Sequence, residues 1–253
     1  MVRYKKLFYR SYWDIRLYML KRKAFVRSGP FEFSVYRNLL TLIKNSEGNK
    51  FIDFDSEVLF PDQRGWYVRH DIDMPNCLNQ LDKFLDLELT LGIKPACFIR
   101  IDSPAYASID VLPLIKEFSK QGVVFGLHSE CYIHDNWKDY FESEIKKFRT
   151  YYGFRPQAFN VHGFGHYKLR ERECFYKYMT HQKINDYGFS FCDLHNGLRE
   201  YKYCIQDSNA LFPANSLEDY RPERRFLYND FSTIPPIHKG SRGLVLTHPG
   251  YWV

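Results

Sequence analysis

Along residues 66–194 the apolar positions switch between two periods. Short runs with alternating or continuous apolar residues predict strands at Trp66–Asp73, Ala96–Ile101, Val123–Ser129, Gln157–Gly163 and Phe189–Leu194. A last one is predicted at Leu244–His248. Between them, apolar residues recur at helical spacing over Pro75–Leu91, Ile109–Gln121, Trp137–Tyr152 and Leu169–Gln182. Gly92, Gly122 and Gly153 follow the first three as stop signals. Alternation of strand and helix at this spacing predicts an α/β domain with a parallel sheet covered by helices. After Phe191 the pattern passes into short strands and loops. Upstream, residues 31–65 read as a helix (Ser34–Lys44), a polar turn (Asn45–Lys50) and a short hairpin, a lead-in packed on the main domain at 66–253.

Residues 1–30 differ in kind. Positions 1–27 hold nine Lys/Arg and one acid, Asp14, interleaved with Leu7, Phe8, Tyr12, Trp13, Ile15, Leu17 and other apolar residues. They read as a basic amphipathic helix stopped by Ser28-Gly29-Pro30. Such a helix either docks on its own domain or lies on an anionic membrane surface. Arg10, Asp14 and Arg16 break any signal-peptide core, and no apolar run is long enough to span a bilayer. The rest of the chain shows no basic stripe, which argues against nucleic acid.

Composition changes this picture little. The 253 residues carry a net charge of +6 with 45% apolar residues, which suits a soluble globular chain and excludes disordered and collagen-like ones. The 18% aromatic content serves either a ring-rich core or carbohydrate contact. Six cysteines (77, 97, 131, 174, 192, 204) show no metal or disulfide spacing and read as reduced, mostly buried thiols of a cytoplasmic protein.

Candidate chemistry collects at the carboxyl ends of the strands, where α/β folds build ligand sites. The first strand ends Arg69-His70-Asp71-Ile72-Asp73, so Arg69, Asp71 and Asp73 share a face. The third ends at His128-Ser129, the fourth at Asn160-Val161-His162, and the last at Thr247-His248. Four strands that each deliver a carboxylate or histidine predict a metal or acid–base site. The Asp/His mixture suits a hydrolytic divalent metal such as zinc.

These motifs resemble the polysaccharide deacetylases, the NodB-homology family also called carbohydrate esterase family 4, over about Trp66–Trp252. The resemblance implies a distorted (β/α) barrel of about seven strands, here with a helical amino-terminal extension. It also implies metal-dependent removal of acetyl from an N-acylated sugar. His70-Asp71-Ile72-Asp73 corresponds to the first motif and is similar to a branch carrying Arg-His-Asp-Val-Asp. By resemblance Asp71 is the base and Asp73 a metal ligand. His128-Ser129-Glu130-Cys131-Tyr132 corresponds to the second motif, with Tyr132 where a second ligand histidine belongs. Leu244–Trp252 corresponds to the last, with His248 as proton donor. The arginine that steadies the base in the family is replaced in its stretch by Asn160, and Arg69 can take that work.

Three completions of the ligand set are open: His162, which is favoured because a strand-end residue points into the site; His134 from a loop; or Asp73 and His128 with water. The expected site is then Asp71, His248 and Arg69 for catalysis, with Asp73, His128 and His162 around one Zn²⁺. The expected substrate is a nucleotide- or lipid-linked N-acylated sugar of surface glycan biosynthesis, handled at the inner membrane face with help from residues 1–27. Two rivals stand beside it: an amidase acting on a small non-sugar amide, and a non-catalytic barrel that binds a glycan or partner.

Overall fold

The structure is a computed structural model that describes residues 31–53, 65–103, 106–162, 169–179, 181–192, 203–207, 226–228 and 242–253. The basic segment 1–30 and most of the expected hairpin, 54–64, lie outside the described residues. Among the described residues there are eight strands: β1 (Gly65–Ile72), β2 (Ala96–Ile99), β3 (Val124–Ser129), β4 (Ala158–Val161), β5 (Phe191–Cys192), β6 (Tyr203–Gln206), β7 (Phe226–Tyr228) and β8 (Arg242–Thr247). They form one sheet in the order β5-β4-β3-β2-β1-β8-β6-β7. Every pairing is parallel. The sheet is curled and flanked by helices, the architecture of a partial (β/α) barrel. About seven strands were expected; β6 and β7 come from the region after Phe191, where strand–helix alternation no longer marks them. No ladder joins β5 to β7 among the described residues.

The helices are α1 (Phe33–Asn45), α2 (Pro75–Thr90), α3 (Leu112–Phe118), α4 (Trp137–Tyr152), α5 (Leu169–Tyr178) and α6 (His181–Asp186). The helix expected over Ile109–Gln121 is α only at α3, with one 3₁₀ turn on each side. The one expected over Leu169–Gln182 is two helices that part after Tyr178. Both α2 and α4 bury a stripe at helical spacing, Cys77-Leu81-Phe84-Leu85-Glu88 and Phe141-Glu144-Ile145-Phe148-Tyr152. Each stripe contains one glutamate, and both glutamates matter below.

The period of two in the strands separates two faces of the sheet. Outward, Ile72, Cys97, Ile99, Phe125, Leu127 and Phe159 pack under α2, α3 and α4 in the largest core cluster. A second cluster joins α1 to Trp66, Val68, Phe84, Val245 and Trp252. Inward, Tyr67, Ala96, Phe98, Ala158, Leu244 and Leu246 form a smaller cluster inside the curl. Gly126 belongs to this inner face. A Cβ there would stand 2.7 Å from Ala158 O and 2.9 Å from the Phe98 ring, so glycine lets that ring lie flat against β3. The inner face becomes polar toward the carboxyl ends of β1, β3, β4 and β8.

Candidate metal centre

Arg69, Asp71 and Asp73 lie along β1 and just past its end, on the inner face. Arg69 grips Asp71 with two hydrogen bonds, Nε to Oδ1 at 2.8 Å and Nη2 to Oδ2 at 2.6 Å. Both residues are 5% exposed, so water does little to screen this pair. Burial alone would raise the Asp71 pKa, but the Arg69 and His128 charges outweigh it and hold the carboxylate well below its usual range. The Arg69 guanidinium also lies over the Phe98 ring, 5.4 Å from its centroid.

Three imidazoles converge on the carboxylate of Asp73. His128 Nε2 is 3.2 Å from Oδ1, His162 Nε2 is 3.3 Å from Oδ2, and His248 Nε2 is 3.4 Å from Oδ2. They come from the ends of β3, β4 and β8. Each ring also faces a side-chain oxygen with Nδ1: His128 with Asn160 Oδ1 at 2.5 Å, His162 with Glu130 Oε1 at 3.5 Å, and His248 with Asp207 Oδ1 at 2.6 Å. At His128 and His248 that oxygen is within hydrogen-bond distance, favours the proton on Nδ1 and leaves Nε2 to face the site, whereas the His162–Glu130 approach is longer than a formed hydrogen bond.

Asp73, His128 and His162 offer one ligand atom each, all within 4.8 Å of one another, and this group could hold a metal ion. The donor chemistry fits a borderline cation: two imidazole nitrogens and a carboxylate oxygen. Asp73 Oδ1 is buried and makes no well-formed hydrogen bond, although it faces His128 Nε2. A cation between them would satisfy it. Burial lowers the His162 pKa further than Asp73 raises it, so the ring is neutral near pH 7 and able to ligate. His134 lies apart from this group. Its ring stacks on Tyr140 with centroids 3.6 Å apart.

Asn160 links the two halves of the site. Its Nδ2 donates to Asp71 Oδ1 at 2.9 Å while its Oδ1 faces His128. Asn160 therefore contacts both the candidate base and a candidate ligand.

His248 is held by a residue not anticipated from the sequence. Both the backbone N–H and Nδ1 of His248 meet Asp207 at 2.6 Å, and Trp252 Nε1 donates to the same carboxylate at 2.9 Å. Burial alone would lower the His248 pKa, but Asp207 and Asp73 outweigh it and raise it well above the usual histidine value. Asp207 directly follows β6, so the strand-end criterion would have found it had β6 been recognisable.

Behind the site, on the outward face of β1, His70 Nε2 lies 2.9 and 3.0 Å from the two oxygens of Glu88, and its Nδ1 lies 2.7 Å from Thr247 Oγ1. Tyr36 of α1 donates to Glu88 as well. This fully buried network ties α1, α2, β1 and β8 together beneath the neighbours Asp71 and His248. Glu144 plays the same part under β3, accepting from Ser129 Oγ at 2.5 Å and from Glu130 N–H at 3.1 Å. Its sequence signal was a glutamate in phase with the apolar stripe of a helix.

Cys77, Cys97 and Cys131 are buried free thiols, and Cys174 is exposed and free. No helix among the described residues is long and apolar enough to cross a membrane. No protein-family model, curated protein or solved structure matches this chain.

Proposed function

We propose that this protein is a metal-dependent hydrolase that removes an acyl group from an N-acylated sugar. The observation that carries the reading is the division of labour around Asp73. A ligand trio sits between a buried carboxylate held ionised, Asp71, and a histidine held protonated by two carboxylates, His248. Asp71 Oδ2 is 3.8 Å from His128 Nε2, and His248 Nε2 is 3.4 Å from Asp73 Oδ2. A general base and a general acid flanking one reacting centre is what amide hydrolysis needs.

Asp73, His128 and His162 would hold a divalent ion, which when bound would polarise the acyl carbonyl as a Lewis acid and make a water more acidic. Zinc is the ion the donor set suits best. Asp71 takes the proton from the attacking water as the carbon–oxygen bond forms. Arg69 and Asn160 hold the Asp71 carboxylate in place for that transfer. His248 then donates its Nε2 proton to the departing amine nitrogen as the carbon–nitrogen bond breaks, while Asp207 keeps Nδ1 occupied. The sugar and the acetyl group rest on the resemblance of the first and last motifs to the polysaccharide deacetylases. A cytoplasmic substrate linked to a nucleotide or lipid, in surface glycan synthesis, fits the basic segment 1–27.

The test is metal content of the full chain together with a screen of N-acetylated sugars and nucleotide sugars for release of acetate. One ion per chain and acetate release dependent on it are expected. A protein that takes up no zinc, or that carries metal and cleaves only non-sugar amides, overturns the reading.

A further inference from the structure

Tyr132 stands where the family pattern has a ligand histidine, and its hydroxyl has a specific use. It donates to the backbone carbonyl of His162 at 2.8 Å. The His162 N–H in turn donates to Ser129 O at 2.9 Å. The segment from Ser129 to Tyr132 therefore holds both backbone polar groups of His162. Between those two residues, Glu130 brings Oε1 to 3.5 Å from His162 Nδ1, ion-pair reach that a small closing movement would turn into a hydrogen bond, on the ring edge away from Asp73. Glu130 is 8% exposed, and it is paired with Arg100, whose Nη1 donates to the Asp73 carbonyl at 3.1 Å.

We propose that Glu130 is a positioning residue for the bound metal: it holds the proton on His162 Nδ1, keeps Nε2 aimed at the ion, and is itself anchored by Arg100. Metal-ligating histidines usually give their other N–H to an oxygen, and a carboxylate there also makes the ring a stronger donor. The second motif has thus exchanged roles. It no longer supplies a second ligand; it supplies the clamp for a ligand that arrives from β4. His128 has a neutral counterpart of the same device in Asn160.

The inference rests on the metal reading of the site but not on the sugar substrate, so its readout is metal affinity. The full chain, stripped by a chelator, is titrated with Zn²⁺ against a competing chromophoric chelator. Glu130→Ala should weaken zinc binding by about 10–100-fold. Glu130→Gln, whose amide oxygen can still accept from Nδ1–H, should recover most of that loss, which a merely structural ion pair with Arg100 would not. Long-range ¹H–¹⁵N NMR of zinc-loaded wild type should show His162 bound through Nε2 with its proton on Nδ1, a measurement that needs no variant to fold.

Unchanged affinity in Glu130→Ala, equal losses in the Ala and Gln variants, or ligation through Nδ1 would each overturn the assignment while leaving the metal site standing. Failure of the wild type to bind zinc would overturn both.

Discussion

Arg69 and Asp71, two residues apart on one strand, form a two-pronged buried ion pair across the inner face of the sheet. The pair explains how a carboxylate stays ionised where water hardly reaches. In the proposed mechanism Asp71 is the base, and Arg69 pushes its protonation to low pH. Arg69→Met should raise the Asp71 pKa, so the acid limb of kcat/KM should move to higher pH. It should also cost about 3–5 kcal/mol of stability, because one charge is left buried without its partner. A pH profile and a urea titration check both parts.

Asp71→Asn keeps the shape of the base and removes its function. It should lower the rate by about 10²–10⁴. Because Asp71 is not one of the three grouped ligands, zinc stoichiometry should stay at the wild-type value. Metal analysis beside the rate measurement separates the two effects, and loss of metal in this variant would move Asp71 into the ligand set.

In the proposed mechanism the basic limb belongs to His248. The raised pKa comes from Asp207 and Asp73 overcoming burial, so the proton should be retained well above neutral pH. Asp207→Asn removes one of those charges and should lower the pKa, so the basic limb of the profile should move to lower pH. His248→Ala should cost about 10²–10⁴ at every pH while metal is retained. A basic limb that ignores the Asp207 change would rule out His248 as the proton donor.

Metal should also report on folding. An ion at about 100 times its Kd adds roughly 2.7 kcal/mol to stability. A chelator should lower the unfolding temperature of the wild type and leave His162→Ala, with its broken ligand set, nearly unaffected. Calorimetric scans with and without chelator give the comparison.

Glu144 predicts a pH effect that is independent of catalysis. Burial outweighs its hydrogen bonds from Ser129 and the Glu130 N–H, and its pKa is pushed from 4.5 up to about 8. Between these values the folded chain binds more protons at this site than the unfolded chain. By linkage its contribution to stability is full below about 4.5 and is lost as pH rises toward about 8. Glu144→Gln cannot ionise and should flatten that slope. Denaturant midpoints measured from pH 5 to 8 would show it, and parallel slopes for the two proteins would refute it.

Strand-end reading brought Asp71, Asp73, His128, His162 and His248 onto one list because a period of two fixes which residues share a face. The structure does bring all five together. The partners of these residues were harder to see. Asn160 is in phase with His162, but nothing in an asparagine announces that it will bridge β1 and β3. Glu130 and Arg100 follow the ends of their strands, where the alternation that fixes direction no longer holds. Asp207 follows β6, in the stretch after Phe191 where strand and helix no longer alternate. The helix over Ile109–Gln121 broke into turns because apolar spacing does not distinguish α from 3₁₀ winding over so short a stretch.

The sheet order has a consequence for the sequence of assembly during synthesis. The three grouped candidate ligands are complete once residue 162 has emerged, whereas the proposed proton donor arrives at residue 248, just past β8, which docks against β1 only after the intervening chain has been made. On the proposed function, capture of an ion and readiness to cleave would thereby be separated in time along the growing chain. A nascent protein could bind its metal well before it held the acid needed to use it.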